Sequence, residues 1–318
     1  MSKPLVSVCV TTYNHERYIR ACLNSVLMQT ECASLEILVG DDSSNDETTK
    51  IVNEIANLNP GVIRHIRNIK NKGATKNLNY LIQEARGQYI AHLDGDDFWL
   101  PGKIAAQISF LENYTDCPAV YTNAFCINDD GSAAGLFTNY KYSRISTHEL
   151  IRRGNFLNHS PLLYRGNLKK FLVHPSCNML DYSIHINLAS HGRLGFLNQP
   201  LTTYRVSSRT SIITHSGNYI RELYWATLSS VKYPYATNSE ISAGMAEFLR
   251  TIFFQAILQK SLSPLSYWLP RILKNAPSGK IIILAQAISA IIRRCSTIVA
   301  SRIYKKLTGN PMKILYPR

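Results

Sequence analysis

Two acidic clusters carry the clearest chemistry in this chain of 318 residues: Asp94-Gly95-Asp96-Asp97, and Asp41-Asp42-Ser43-Ser44 running on into Asn45-Asp46. In an extended chain Asp94 and Asp96 project to one side about 7 Å apart, and Asp97 points away. Like charges at that separation repel by about 2 kcal/mol at an effective dielectric of about 20, and a cation between them removes the cost. Oxygen ligands so few in number suit Mg2+ or Mn2+, which keep waters and share their shell with a substrate phosphate. An acidic turn that merely caps a helix opening at Pro101 gives the same pattern, and Asp97 suits that task. Asp41 and Asp42 likewise read either as helix caps or as acceptors for a nucleobase imide or ribose hydroxyls. No GxGxxG or GxxxxGK(S/T) follows the first apolar run, and Gly40 is the only glycine before Gly61. A backbone phosphate cradle is therefore not available, and a nucleotide diphosphate bound here must be neutralised by metal.

These clusters need a frame. LVSVCVTT (5–12) reads as a buried strand, and residues 16–29 place Tyr18, Ile19, Cys22, Val26 and Leu27 on one helical face. Residues 36–42 form a second strand, followed by a helix capped by Asn45 or Asp46 and carrying Ile51, Val52, Ile55 and Leu58. A strand at 62–66 precedes a helix from Thr75 to Arg86, closed by Gly87 in the left-handed capping position. Strands at 88–94 and 119–127 flank a helix whose first turn holds Pro101. Such alternation predicts parallel pairing with right-handed crossovers in a layered α/β sheet. Ligands gather at the carboxyl ends of such strands, where Thr11, Asp41, Asp42, Asp94, Asp96 and Asp97 fall. Past 140 the rhythm changes to short strands, a helix at 179–191 ended by Gly192, and only helical patterns after 214.

Charge divides the chain. Residues 1–140 hold 11 Lys/Arg and 16 Asp/Glu, a net of −5, whereas 141–318 hold 24 against 5, a net of +19. No acidic residue follows Glu247, while twelve Lys/Arg do, so this block must face lipid headgroups or nucleic acid. In 280–307 the longest uncharged run is 281–292, 12 residues, short of the roughly 20 that span a bilayer. With Gln286, Ser289, Arg293, Thr297 and Ser301 near one face, the helix reads either as lying in a membrane interface or as packing with a solvated basic edge. The seven cysteines have no metal or redox spacing and read as reduced, mostly buried thiols of a cytosolic protein. The N-terminal run has no A-x-A-like cleavage site, which predicts no secretory signal.

Taken in order and at their spacing, SVCVTTYNHERYI, Gln29, EILVGDDSSNDET and NKGATKNLNYLIQEARGQYIAHLDGDDFWLP resemble the family 2 glycosyltransferases of the GT-A fold. The resemblance covers residues 4–130 and continues more weakly through LDYSIHINLASHGRLGFLNQPLTTYRVSSRTS (180–211). It implies a GT-A domain over 1–212, with a nucleotide-sugar-binding half (1–130) and an acceptor half (131–212). That domain has a mixed, mostly parallel sheet with flanking helices. A helical, basic C-terminal region follows over 213–318. It implies that Thr11, Tyr13, Asp42, Lys76, Asn77, Asp94 and Gly95 bind the nucleotide sugar, with Thr11 and Asp42 at the base and Asp94 at the ribose. Asp96 would hold Mn2+ or Mg2+, and Asp181 would be the general base. Lys76 equally suits a solvated surface lysine. The position before the base is often acidic in the family and is Leu180 here. His159 and His185 are fallback bases, or else packing or substrate-contacting residues; His159 and Arg205 fall on the acceptor or phosphate side, where Arg205 pairs with phosphate, pairs with Asp181 or braces the acceptor loop.

The QxxRW motif and spanning helices of processive synthases are absent, which predicts single-sugar transfer, and the resemblance implies that this transfer inverts the anomeric configuration. The expected partners are a nucleotide-sugar donor, a lipid-linked or oligosaccharide acceptor in bacterial surface polysaccharide synthesis, and the inner face of the cell membrane. Two rivals stand beside this reading. One is a non-catalytic nucleotide-sugar-binding protein. The other is a nucleic-acid-binding protein using the basic tail, against which the acidic rim and the lack of a nucleic-acid module both count.

Overall fold

A computed structural model describes residues 5–29, 33–173, 180–206, 217–231, 235–308 and 313–316. β1 (Leu5–Thr12) is buried along almost its whole length, as expected of a central strand covered on both faces. It pairs in parallel with β2 (Ser34–Asp41) and with β4 (Tyr89–Asp94), and β2 pairs in parallel with β3 (Ile63–Arg67). The crossovers are α1 (Ile19–Leu27), α2 (Thr48–Leu58) and α3 (Ala74–Glu84). Val6, Val8 and Val10 meet Ile19, Leu23 and Val26 in the core, and the same cluster takes in Ile37, Val39 and Trp99.

Beyond β4 the sheet becomes mixed. β5 (Phe98–Trp99), α4 (Lys103–Asn113), β6 (Ala119–Ile127), β7 (Ala133–Thr138) and β8 (Arg144–Ile145) come next in the chain. A three-residue strand, β9 (Leu163–Arg165), lies between β4 and β6 and is antiparallel to both. β10 (Leu194–Arg205) runs parallel to β6 with two register shifts around Pro200 and pairs β5 on its other side. β11 (Ile314–Tyr316) adds to the outer edge of β7. Among the described residues eleven strands form one sheet.

Several local expectations are corrected. The run 94–97 is not extended: the amide of Asp97 donates to the Asp94 carbonyl at 2.9 Å, so DGDD is a tight turn ending β4. α4 begins at Lys103 behind Gly102 (φ 80°), which leaves Pro101 in the preceding turn. Gly87 is not a left-handed cap; α3 ends through Ala85 in extended conformation. A Cβ on Gly87 would collide with the backbone of Tyr89 and Ser7, so close strand approach is what demands glycine there.

The chain forms two compact units whose limits differ from a cut at 212. The first comprises Met1–Ile145, Leu157–Leu223 and Lys313–Arg318; the second comprises Ser146–Phe156 and Tyr224–Met312. The second is helical. α5 (Thr147–Arg153) opens with a Ser146/Glu149 capping box, and the Asn238–Gln259 helix with a Thr237/Glu240 one. Trp225 stacks on Phe248 at 5.7 Å, and Trp268 meets Phe248 edge-on at 5.0 Å. Cys9, Cys22, Cys117 and Cys126 are free and buried, Cys295 is free and exposed, and Cys32 and Cys177 lie outside the described residues.

Candidate active site

The carboxyl ends of β1, β2 and β4 close on one another. Thr11 and Asp94 are register partners, the Thr11 hydroxyl donates to Asp94 Oδ1 at 2.9 Å, and the Gly95 amide donates to the Thr11 carbonyl at 2.8 Å. A Cβ on Gly95 would meet His15 Nδ1 at 2.7 Å and Thr12 Oγ1 at 2.9 Å, so glycine lets the turn lie against β1. His15 was not foreseen in the site. Burial lowers its pKa, partly offset by the charges of Asp96, Asp46 and Asp41.

Asp42 is buried, and its carboxylate accepts from Asn68 Nδ2 (2.9 Å) and from the amides of Lys72 (2.9 Å) and Gly73 (2.8 Å). It thereby ties the 68–73 loop to β2, with lone-pair capacity for about one further donor. Asn77 is also buried, donating to the Gly40 carbonyl at 2.7 Å and accepting from Asn68 at 3.2 Å. A side chain on Gly40 would meet Asn77 Oδ1 at 2.6 Å. Asn77 thus braces α3 against β2, whereas Lys76 and Tyr13 are exposed. Asp41 fastens the 41–44 turn and the start of α2: it accepts from the Ser44 amide at 2.9 Å and from the Thr49 hydroxyl, with His65 Nε2 3.7 Å away, while Asp46 accepts from the Thr48 amide at 3.0 Å. Burial opposes ionisation of Asp41, but its partners outweigh burial and hold the carboxyl well below its usual range.

The far side of the turn is held by a residue with no sequence signal, Ser160. Its fully buried hydroxyl donates to Asp97 Oδ2 at 2.6 Å and accepts from the Asp94 amide at 3.2 Å. Asp97 therefore points inward and does not cap α4; its other oxygen accepts from the Arg205 amide at 2.8 Å. Arg205 braces. Its Nε donates to the Asp96 carbonyl (3.1 Å), Nη1 donates to the Asn128 (3.0 Å) and Asp129 (3.3 Å) carbonyls, and the guanidinium lies 4.4 Å from the Tyr18 ring centre. Residues 207–211, the end of the stretch that resembles the family, lie outside the described residues.

Behind Asp94, His159 Nε2 and His92 Nδ1 are 2.7 Å apart, both rings buried, and the His185 ring lies tilted with its centre 6.0 Å from that of His159. One imidazole of the 2.7 Å pair must donate and the other accept, and burial together with neighbouring imidazoles holds His92 and His185 neutral. Asp181 occupies the first turn of α6 (Asp181–Ala189). It is close enough to act on Asp94, whose pKa is pushed up to about 6. Burial is the main cause, and the charges of Asp96 and Asp181 add to it against the lowering effects of His159 and Thr11.

These groups fit a divalent cation. Among the described residues no Lys or Arg side chain pairs with Asp94, Asp96 or Asp97, because Arg205 is spent on carbonyls. Asp96 is partly exposed, and no three His, Cys, Asp or Glu side chains among the described residues form a closed cage. An ion here would take one or two carboxylates and draw its remaining ligands from water and substrate, the Mg2+ or Mn2+ mode.

The model of glycosyl transferase family 2 matches residues 7–187, more than half of the chain. The chain belongs to this family. Among the relatives of this glycosyltransferase, the uncharacterized protein Rv1520 of Mycobacterium tuberculosis is 26% identical over 223 residues. That alignment takes in 70% of the chain but only 64% of the relative's length. The Escherichia coli UDP-Glc:alpha-D-GlcNAc-diphosphoundecaprenol beta-1,3-glucosyltransferase WfaP is 32% identical over 188 residues, 59% of this chain and 71% of WfaP. In structure, S. aureus TarS 1-349 in complex with UDP-GlcNAc aligns with TM-score 0.65 at 18% identity, over 91% of this chain and 89% of TarS 1-349. The Pyrobaculum calidifontis mannosyltransferase PcManGT, in complex with GDP-Man and Mn2+, aligns with TM-score 0.51 at 18% identity, over 96% and 82%. The glycosyltransferase thus has the GT-A fold its motifs predict.

Proposed function

We propose that this glycosyltransferase moves a single sugar from a nucleotide diphosphate donor, UDP-linked by preference, to a hydroxyl of a lipid-linked or oligosaccharide acceptor, with inversion. The observation that carries the reading is the pair Asp94 and Asp96 in the turn that ends β4, with Asp181 of α6 near enough to raise the Asp94 pKa and, among the described residues, no Lys or Arg ion pair to Asp94 or Asp96. The UDP preference and the lipid-linked acceptor are supported by the substrates in the name of WfaP, and the metal by the Mn2+ of PcManGT. Bacterial surface polysaccharide synthesis, at the inner face of the cell membrane, is the setting that suits such substrates.

In this reading Asp96, with Asp94 beside it, would hold Mn2+ or Mg2+, which as a Lewis acid supports the charge developing on the departing diphosphate. Asp94 accepts from the ribose, Thr11 and Asp42 frame the base, and Asp42 does so chiefly by holding the 68–73 loop. Tyr13, Gly95 and Lys76 line the donor side, and Asn77 braces it from behind. Asp181 takes the proton from the acceptor hydroxyl, a role general bases fill for about 10²- to 10⁴-fold in rate. His159, buried with its Nε2 engaged by His92, backs Asp94 in this reading.

A panel of UDP-, GDP- and dTDP-sugars with Mn2+ tests the reading. Asp181→Asn should lower transfer by at least ~100-fold while leaving UDP affinity in Mn2+ within a factor of about two. UDP affinity blind to Mn2+, together with full transfer by Asp96→Ala, refutes it.

A further inference from the structure

The Lys280–Thr308 helix is apolar on two opposite faces. One face carries Ile283, Ala287 and Ala290, buried at 3% exposure or less. On the other, Ile281, Ile288, Ile292 and Val299 follow one another at spacings that return to nearly the same helical angle. These four are 83%, 58%, 60% and 55% exposed. Two helices among the described residues, Asn238–Gln259 and Lys280–Val299, are long and apolar enough to cross a membrane by length and composition. The first is half buried, as a core helix is, whereas only 17% of the second is covered.

We infer that the Ile281–Ile288–Ile292–Val299 stripe docks on an anionic lipid surface, the helix lying in the headgroup plane with its opposite face kept on the protein. The inference rests on the reading that the acceptor is carried by lipid, and charge names the occupant. Twelve Lys/Arg and no Asp/Glu follow Glu247, which complements anionic headgroups. A second copy of the chain would bring two such basic blocks together. Spanning would strip Ile283, Ala287 and Ala290 from their packing, break the 3.0 Å pair of Arg293 with Glu247, and carry Arg293 and Arg294 toward hydrocarbon. An apolar stripe with basic flanks is the composition of an interfacial helix.

The test is flotation of the full chain with vesicles of phosphatidylcholine alone or mixed with phosphatidylglycerol. Binding is expected only to the mixed vesicles. It should fall roughly tenfold or more in Ile288→Glu/Ile292→Glu, at exposed positions where the melting temperature should hold, and clearly less in Ser289→Glu/Thr297→Glu on the polar flank, which adds the same charge. No flotation of the parent chain, equal losses from the two pairs, resistance to alkaline extraction, or a dimer dissolved by the Ile288→Glu/Ile292→Glu pair would each overturn it. Mn2+-dependent UDP binding in solution, which needs neither lipid nor acceptor, is measured in parallel and separates the two readings. Its absence with flotation intact sinks the catalytic proposal alone, and its presence without flotation sinks the docking alone.

Discussion

Asp94 carries the sharpest consequence at the scale of single residues. Burial, Asp96 and Asp181 push it up to about 6, so just below neutrality the ligand-free turn still holds a proton in part of the population. A cation alongside and hydroxyl donors favour the ionised form, and binding must then displace that proton. The sign follows: affinity for UDP with Mn2+ should rise by up to about tenfold per pH unit below roughly pH 6 and level off above it. Calorimetric titrations between about pH 5 and pH 7.5 check this, and Asp94→Asn should flatten the profile. Asp94, Asp96 and Asp181 were legible because their motifs keep them near strand and helix ends. Ser160 and His15 were not. Ser160 reaches Asp97 across 63 residues of chain, and no local pattern encodes such a bond.

Among the elements, β1 and β6 were readable to the residue, since β-branched runs buried on both faces leave no competing period. β9 escaped: three residues are too few for any period, and its place is set by the strands on either side. Gly87 was legible as an indispensable glycine but for the wrong reason, because crowding by Ser7 and Tyr89, not a positive φ, fixes it. Backbone atoms do not yield as side-chain tips do. Gly87→Ala should therefore cost about 2 kcal/mol or more of stability, measurable by urea unfolding, whereas a glycine needed only for a left-handed cap would cost less. The turn at 94–97 was misjudged by assuming an extended chain, and the hydrogen bond that folds it depends on Ser160 and Arg205 holding Asp97 from behind.

For the whole molecule the interleaving of the two units matters most. A cut at 212 follows composition, yet β11 completes the edge of the first unit. There the Leu136 amide donates to the Lys313 carbonyl and the Thr138 hydroxyl to the Tyr316 carbonyl, both at 2.9 Å. α5 belongs to the second, with Leu150 and Ile151 fully buried and His148 paired with Glu240 at 2.8 Å. A 1–212 fragment should bare the β7 edge and that apolar pair, and so aggregate or melt well below the full chain in size-exclusion and thermal assays. Segment 158–165 has a different reach. It supplies both the strand that zips β4 to β6 and the hydroxyl that arms the carboxylate turn. Sheet closure and assembly of the carboxylate corner therefore depend on the same few residues, and if the proposed function holds, a refolding chain should gain Mn2+-dependent UDP binding only once this seam has shut.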